Sequence, residues 1–271
     1  MLIFKYSLLF ILVSLSNILH SEENITAYFS NDSVNGLKIS DAYETHNMGL
    51  IYRYDDIVYT LDLGIVSPDM HIYKNEYRVA NRSFGEIITL SVGKSKELQD
   101  KINISYFAQL KSSGSYGIDK MQDFMHNILS LQPVNYVNNL VRMPNQEWVG
   151  IGGSVQNDLE SSLAPFNQIG FSSYIGTDRF EIGLFAQGET QYRSFKPYGE
   201  FGFKYVLYDY VVSAPPISAE IRNFIPYVEL GLLFNHLNVD WFIRDRFSLP
   251  SIDEDNDVFG VLSAGVTFPI N

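Results

Sequence analysis

One histidine lies on a stretch that breaks the pattern of the chain around it. The segment GIDKMQDFMHNILS (117–130) carries apolar residues at the spacing of one helix face, namely Met121, Phe124, Met125, Ile128 and Leu129. Gln122, Asp123 and His126 share the adjoining face, and the pair Asp119 and Gln122 can begin the helix. Histidine titrates in the range of a general base, and Asp119 or Asp123 could orient it. These residues alone leave two interpretations, a base that activates a nucleophile and an ordinary surface histidine.

The composition excludes several other kinds of chemistry. The 271 residues include no cysteine, which removes thiolate catalysis, cysteine metal sites and disulfides. No G-x-S-x-G occurs, so a serine nucleophile on a strand–helix elbow is disfavoured. The 19 Lys and Arg against 31 Asp and Glu give a net charge of −12, which argues against a nucleic-acid partner but can attract divalent cations. The acidic stretch SIDEDND (251–257) lacks EF-hand spacing and is interpreted as a solvated loop.

The elements that must position His126 are strands, because most of the chain alternates polar and apolar residues. In YGEFGFKYVL (198–207), aromatic and aliphatic residues alternate with Glu, Gly and Lys. Similar segments recur along the chain, separated by polar loops such as 67–83. We predict twelve strands, over 24–31, 45–54, 56–66, 84–94, 103–112, 146–156, 166–176, 179–189, 197–212, 223–235, 237–246 and 257–269.

The composition of the two strand faces favours a membrane barrel over a periplasmic sandwich. The polar faces are rich in glycine and small residues with occasional charges, which suits a crowded barrel interior. Aromatic residues cluster near strand ends, as in interfacial girdles, and the chain closes on the strand VFGVLSAGVTFPIN. The predicted fold class is therefore all-β, a twelve-stranded antiparallel transmembrane β-barrel with a short loop helix, and an even number of strands fits a single-chain bacterial barrel.

The first segment, MLIFKYSLLFILVSLSNILHSEEN, is typical of a secretory signal peptide. Lys5 precedes a short apolar run from Leu8 to Leu15, and small and polar residues follow. A membrane anchor is the alternative, but the run is shorter than the roughly 20 apolar residues of a spanning helix. We expect residues 1–21 to be removed, with cleavage after Ser16 or Ser21, and residues 22–271 to form one domain.

Four blocks of the chain resemble, in order, motifs of the outer-membrane lipid A 3'-O-deacylase family. FSND (29–32) resembles the Asn-Asp that ends the family's first strand. SDAYETHNMGLIYRY (40–54) resembles the block that leads into its second strand. VSPDMHIYKNEYRVANRSFGEIITLSVG (66–93) resembles a Y-S-P segment followed by a lysine and another strand. GIDKMQDFMHNILSLQPVNYVNNLVRMP (117–144) resembles the family's helix with Q-N-x-x-H.

This resemblance implies a function as well as a fold. The family is an outer-membrane barrel whose active site lies at the extracellular side, between the barrel wall and a loop helix. It hydrolyses the 3'-linked acyloxyacyl ester of lipid A and needs calcium. By resemblance, His126 would be the general base, Asn31 and Asp32 would hold the Ca²⁺ ion, Thr45 would complete the polar cluster, and Lys74 would stabilise negative charge. The expected partners are lipopolysaccharide and outer-membrane lipids, and a monomer is expected.

The chain departs from the family's motifs at several positions. Glu44 replaces a tyrosine, Asn81 replaces an aspartate, and the family's tyrosine after the helix has no clear counterpart. Asn47 replaces a glycine, and asparagine tolerates the left-handed turn that glycine would make there. The alternatives are a non-catalytic barrel, either a lapsed relative or a porin, and an outer-membrane phospholipase with the same base and calcium chemistry.

Overall fold

A computed structural model describes most of the chain after the leader segment. It covers residues 23–33, 43–67, 70–73, 76–79, 85–98, 101–118, 120, 143–163, 166–189, 195–210, 221–237, 239–249 and 259–270. The predicted signal peptide lies outside these residues, as does most of the predicted helix 117–130, of which Ile118 and Lys120 are described and helical. Within this part of the chain, no helix has the length and apolar character needed to cross a membrane.

Twelve strands form a closed antiparallel barrel, which confirms the predicted fold class. The fourteen strands of the described chain are β1 (Glu23–Ser33), β2 (Tyr43–Tyr54), β3 (Ile57–Ser67), β4 (Met70–Tyr73), β5 (Glu76–Val79), β6 (Gly85–Leu98), β7 (Ile102–Gly114), β8 (Gln146–Leu163), β9 (Phe166–Gly176), β10 (Arg179–Glu189), β11 (Phe195–Asp209), β12 (Phe224–His236), β13 (Val239–Ser248) and β14 (Phe259–Ile270). Each barrel strand pairs with its neighbour in the chain, except that β3 pairs with β6 and β1 pairs with β14.

The strands differ from the prediction in two ways. The segment 67–83, predicted as a loop, contains the two-stranded sheet β4–β5, which stands apart from the barrel. Several barrel strands are also longer than predicted, and β8 continues to Leu163 instead of ending at residue 156. The extension is mostly polar, and it was missed because backbone pairing can continue beyond the part of a strand that alternation marks.

The two ends of the barrel carry different connections. At one end, here called the turn end, β2 and β3 are joined by Asp55 and Asp56, and Asp55 has a left-handed φ of 54°. At the other end, here called the loop end, β1 stops at Ser33, and the long segments 34–42, 68–84 and 115–145 connect the strands. Bacterial barrels have short periplasmic turns and longer extracellular loops, and this chain shows the same asymmetry.

The outer wall is apolar and exposed. Along one face of the strands, large side chains such as Ile151 (61% exposed), Leu230 (56%) and Leu50 (49%) point away from the lumen. Leaving so much apolar surface in water would be costly, at roughly 25 cal/mol per Å². A surface of this kind is the lipid-facing band of a membrane barrel.

The inner wall is polar and densely paired between β10 and β13. Glu229 contacts Arg246 (2.7 Å) and Arg244 (3.7 Å). Glu200 accepts hydrogen bonds from the hydroxyls of Tyr198 (2.6 Å) and Tyr227 (2.8 Å). On the neighbouring strands, the Glu181 carboxylate lies 3.2 Å from the Lys204 ammonium and 3.5 Å from the Arg179 guanidinium. Each carboxylate therefore has cationic or hydroxyl partners in the lumen wall.

Glycine makes room for these large polar side chains, as the composition of the strands predicted. A Cβ on Gly202 would overlap the Tyr227 ring, and one on Gly150 would overlap the Tyr174 hydroxyl. Tyr227 and Tyr174 can lie flat across the neighbouring strand because these two positions carry no side chain.

We expect Arg246→Met to lower the free energy of unfolding by about 1–3 kcal/mol, since it leaves two largely buried carboxylates with fewer partners. Urea titration of the protein in lipid vesicles, followed by tryptophan fluorescence, measures the change. Arg53→Met is the matched control, because Arg53 is exposed near the turn end of β2. Equal stability of the two variants would show that the lumen ion pairs contribute little.

Candidate functional site

Three of the five predicted site residues belong to two adjacent strands at the loop end. Asn31 and Asp32 are among the last three residues of β1, and Thr45 is the third residue of β2. In the register between these strands, Asn31 pairs with His46, the residue that follows Thr45. The backbone therefore brings these three positions to one corner of the barrel.

A β-bulge lies at Thr45. The pairing of β2 with β3 runs from Glu44 opposite Val66 to His46 opposite Ile65, so Thr45 is the additional residue. Bulges redirect the strand locally and are over-represented beside active sites. No local sequence pattern marks this bulge, because it depends on the pairing with β3.

The other two predicted residues lie outside the described part of the chain. His126 falls in the segment between Lys120 and Met143, and Lys74 falls between β4 and β5. The roles proposed for them as general base and as a charge-stabilising cation remain predictions.

The side-chain oxygen of Asn47 is a candidate ligand for the predicted calcium ion. Asn47 faces Ser30 in the register of β1 and β2, and Ser30 Oγ donates to its backbone oxygen at 3.5 Å. The side-chain Oδ1 of Asn47 is buried and has no hydrogen-bond partner. A buried carbonyl oxygen without a partner costs about 1–3 kcal/mol, and calcium binds amide and carboxylate oxygens.

The buried Asn47 Oδ1 therefore fits the role of a calcium ligand, and it lies at the corner where Asn31 and Asp32 end β1. Within the described residues, no group of three or more His, Cys, Asp or Glu could hold a metal. A site here would instead mix amide and carboxylate oxygens. The left-handed turn expected at Asn47 is wrong, because this residue lies within β2, where the backbone is extended.

A buried carboxylate anchors the start of the helical segment to the barrel. Glu86, the second residue of β6, is 1% exposed. Its Oε2 accepts hydrogen bonds from three consecutive backbone N–H groups, those of Tyr116 (2.6 Å), Gly117 (2.8 Å) and Ile118 (3.1 Å). Gly117 has a φ of 85°, which glycine adopts readily and which turns the chain onto the carboxylate. Negative charge at a helix N-terminus is also stabilised by the helix dipole.

This contact is on the outside of the barrel. Thr89 faces the lumen opposite Asp62, so Glu86 and Leu90, at odd spacings from Thr89, lie on the outer face. Both are buried, whereas Val92 on the same face is 47% exposed. The outer wall is therefore covered near the loop end of β6, and residues 116–118 contribute to that cover.

The other described end of the same segment, which begins at Met143, lies on the lumen side of the barrel rim. Gly85 has no side chain, and a Cβ there would overlap the side chain of Met143. Ser113 Oγ donates to the Pro144 oxygen at 2.8 Å and accepts a hydrogen bond from the Gln146 N–H at 3.1 Å. The two described ends of the segment that contains His126 thus lie on opposite faces of the barrel rim, both fixed to β6 and β7.

A second buried cluster stiffens the rim beside this segment. Asp178, in the short turn between β9 and β10, is fully buried and lies 2.5 Å from Lys111 of β7. The Tyr174 hydroxyl donates to the same carboxylate at 2.7 Å. No local pattern marks Asp178 or Glu86, because Lys111 and residues 116–118 lie far from them along the chain.

Comparison with solved structures places the fold among outer-membrane barrels. The chain aligns with LpxR from Salmonella typhimurium at a TM-score of 0.70 and 12% identity, covering 90% of this chain and 99% of the other. It aligns with the NanC porin at a TM-score of 0.50 and 7% identity, covering 90% of this chain and 98% of the porin. No protein-family model matches the sequence, and no curated protein matches it.

The chain is an outer-membrane β-barrel. The closed barrel, its apolar outer wall and its polar lumen agree with the fold that these two proteins share. The fold is LpxR-like, and at 12% identity the likeness concerns the fold alone.

We expect Glu86→Gln to loosen residues 116–118, because an uncharged amide oxygen accepts these hydrogen bonds less strongly than a carboxylate. Hydrogen exchange of the backbone amides, followed by mass spectrometry, should show faster exchange in 115–120. Glu97→Gln, at the exposed turn end of the same strand, is the matched control. Unchanged exchange at 115–120 in Glu86→Gln would contradict the anchoring role.

Proposed function

We propose that this protein is a calcium-dependent esterase that removes the 3'-linked acyloxyacyl chain from lipid A in the outer membrane. The observation that carries the proposal is the common position of Asn31, Asp32 and Thr45 at the loop end, beside the bulge in β2. The motif resemblance to lipid A 3'-O-deacylases and the LpxR-like fold support the same function. The described ends of the segment that contains His126 are fixed to the same end of the barrel.

In the proposed reaction, His126 takes a proton from water, and the hydroxide so formed attacks the ester carbonyl carbon. Lys74 would stabilise the negative charge that develops on the carbonyl oxygen. The bond to the sugar oxygen then breaks, and the histidine returns its proton to that oxygen. The products are the free acyloxyacyl acid and the 3'-hydroxyl of the sugar to which it was esterified.

Asn31, Asp32 and Asn47 would hold calcium beside this base. The bound ion would supply positive charge for the carbonyl oxygen and for the phosphates of lipid A. Thr45 would complete the polar cluster from the bulge. The apolar outer wall would let acyl chains approach from the side, and no nucleic acid or second subunit is required.

A channel is the second candidate function. Four cations, Arg179, Lys204, Arg244 and Arg246, lie in the lumen wall, and the NanC porin shares the barrel fold. Anion-selective conductance in planar bilayers, together with unchanged lipid A, would favour this function. A phospholipase would instead release fatty acids from vesicles that lack lipid A.

We expect cells that express the protein to lose an acyloxyacyl mass from lipid A, and cells that express His126→Ala to keep it. Mass spectrometry of lipid A extracted from both, with calcium present, measures this. His236→Ala is the control, since His236 lies at the turn end of β12. Unchanged lipid A with a folded wild-type barrel in the outer membrane would refute the proposal.

We expect Asp32→Asn to weaken calcium binding by at least about tenfold, equal to roughly 1.4 kcal/mol, because one carboxylate ligand becomes neutral. Titration calorimetry of the purified barrel reports binding without depending on activity. Asn47→Ala should weaken it as well. Asp240→Asn at the exposed turn end is the control, and equal affinity of all the variants would place calcium elsewhere.

A further inference from the structure

A trough of about 790 Å³ crosses the outer wall of the barrel from β6 to β9. Its floor consists of small outward-facing residues, Ala108, Gly153 and Ser173. Large side chains stand beside them, including Tyr106 (56% exposed) and Ile151 (61% exposed). Because bulky residues surround these small ones, the trough is a local depression in the lipid-facing surface.

The depression is built into the backbone and cannot be removed by side-chain rotation. Tyr106, Gly153 and Ser173 are successive partners in the registers of β7, β8 and β9. A Cβ on Gly153 would collide with the backbone oxygen of Ser105. The close approach of β7 and β8 at this point therefore requires glycine, and the trough follows from it.

One end of the trough carries opposite charges. Among the described residues that line it, Lys94 is the only charged one. Its ammonium lies 2.6 Å from the carboxylate of Asp56 in the turn between β2 and β3, and the two side chains are 42% and 30% exposed. A lysine ammonium has three N–H donors, so contact with Asp56 leaves donors for a second acceptor.

We propose that the trough binds a glycerophospholipid with a zwitterionic headgroup. One acyl chain fills the apolar depression, where it regains the dispersion contacts that a void would lack. The lipid phosphate accepts hydrogen bonds from Lys94, and the headgroup ammonium donates to Asp56. The paired charges match a phosphate and an ammonium together better than they match an anion alone. This site is separate from the loop-end corner and does not depend on the esterase function.

Native mass spectrometry of the purified full-length barrel tests which lipid the trough retains. The barrel is mixed with phosphatidylethanolamine, with phosphatidylglycerol of the same acyl chains, or with lipid A. We expect selective retention of phosphatidylethanolamine, and Ser173→Leu, which fills the floor, should reduce it by at least about tenfold, equal to roughly 1.4 kcal/mol. Ala108→Leu serves the same purpose if Ser173→Leu does not fold.

Ala264→Leu is the matched control, because Ala264 is also exposed on the outer wall but belongs to β14. It should retain phosphatidylethanolamine like the wild type. Lys94→Gln should remove the preference over phosphatidylglycerol while leaving the acyl-chain contact. Equal retention of all three lipids by the wild type, a preference for lipid A, or retention unaffected by either leucine would overturn the proposal.

Discussion

The contact between the Glu86 carboxylate and the N–H groups of residues 116–118 is the interaction on which the loop end depends. It satisfies three backbone donors that a turn into a helix would otherwise leave without acceptors. It also places a charge where water is excluded, so its partners are fixed in position. The start of the segment that contains His126 is thereby attached to a rigid strand.

The barrel separates two environments with one set of strands. Outward positions face hydrocarbon and carry exposed apolar residues, while inward positions carry ion pairs such as that of Glu229 and Arg246. Alternation along each strand makes this possible without any change of backbone geometry. Near the loop end of β6, outward positions no longer face hydrocarbon, because the outward residues Glu86 and Leu90 are buried. The two described ends of the segment between β7 and β8 lie on opposite faces of the rim there. The candidate site lies at this same end of the barrel, where neither environment dominates.

Much of the fold could be predicted because alternation is a local property. The pattern in YGEFGFKYVL identifies β11, and its second glycine, Gly202, is explained by the Tyr227 ring that lies over it. The bulge at Thr45 could not be predicted, because it arises from a mismatch between β2 and β3. The β4–β5 sheet was missed because its four-residue strands are too short for alternation to stand out from a polar loop. For the site, motif order indicated Asn31, Asp32 and Thr45, but no local pattern marks Glu86 as the anchor of residues 116–118.

The pairing of β1 with β14 couples the two ends of the chain. Eleven residues of β1, from Glu23 to Ser33, pair with β14, and the hydroxyls of Thr26 and Thr267 lie 2.8 Å apart across this seam. Contacts between the ends of a chain have the greatest sequence separation and form slowly. Asn31 and Asp32 lie on β1 between β14 and β2, so their corner of the barrel is complete only when the last strand has been synthesised and has docked. An unfinished or unclosed chain would therefore lack this corner, and the proposed activity would begin only with closure of the barrel.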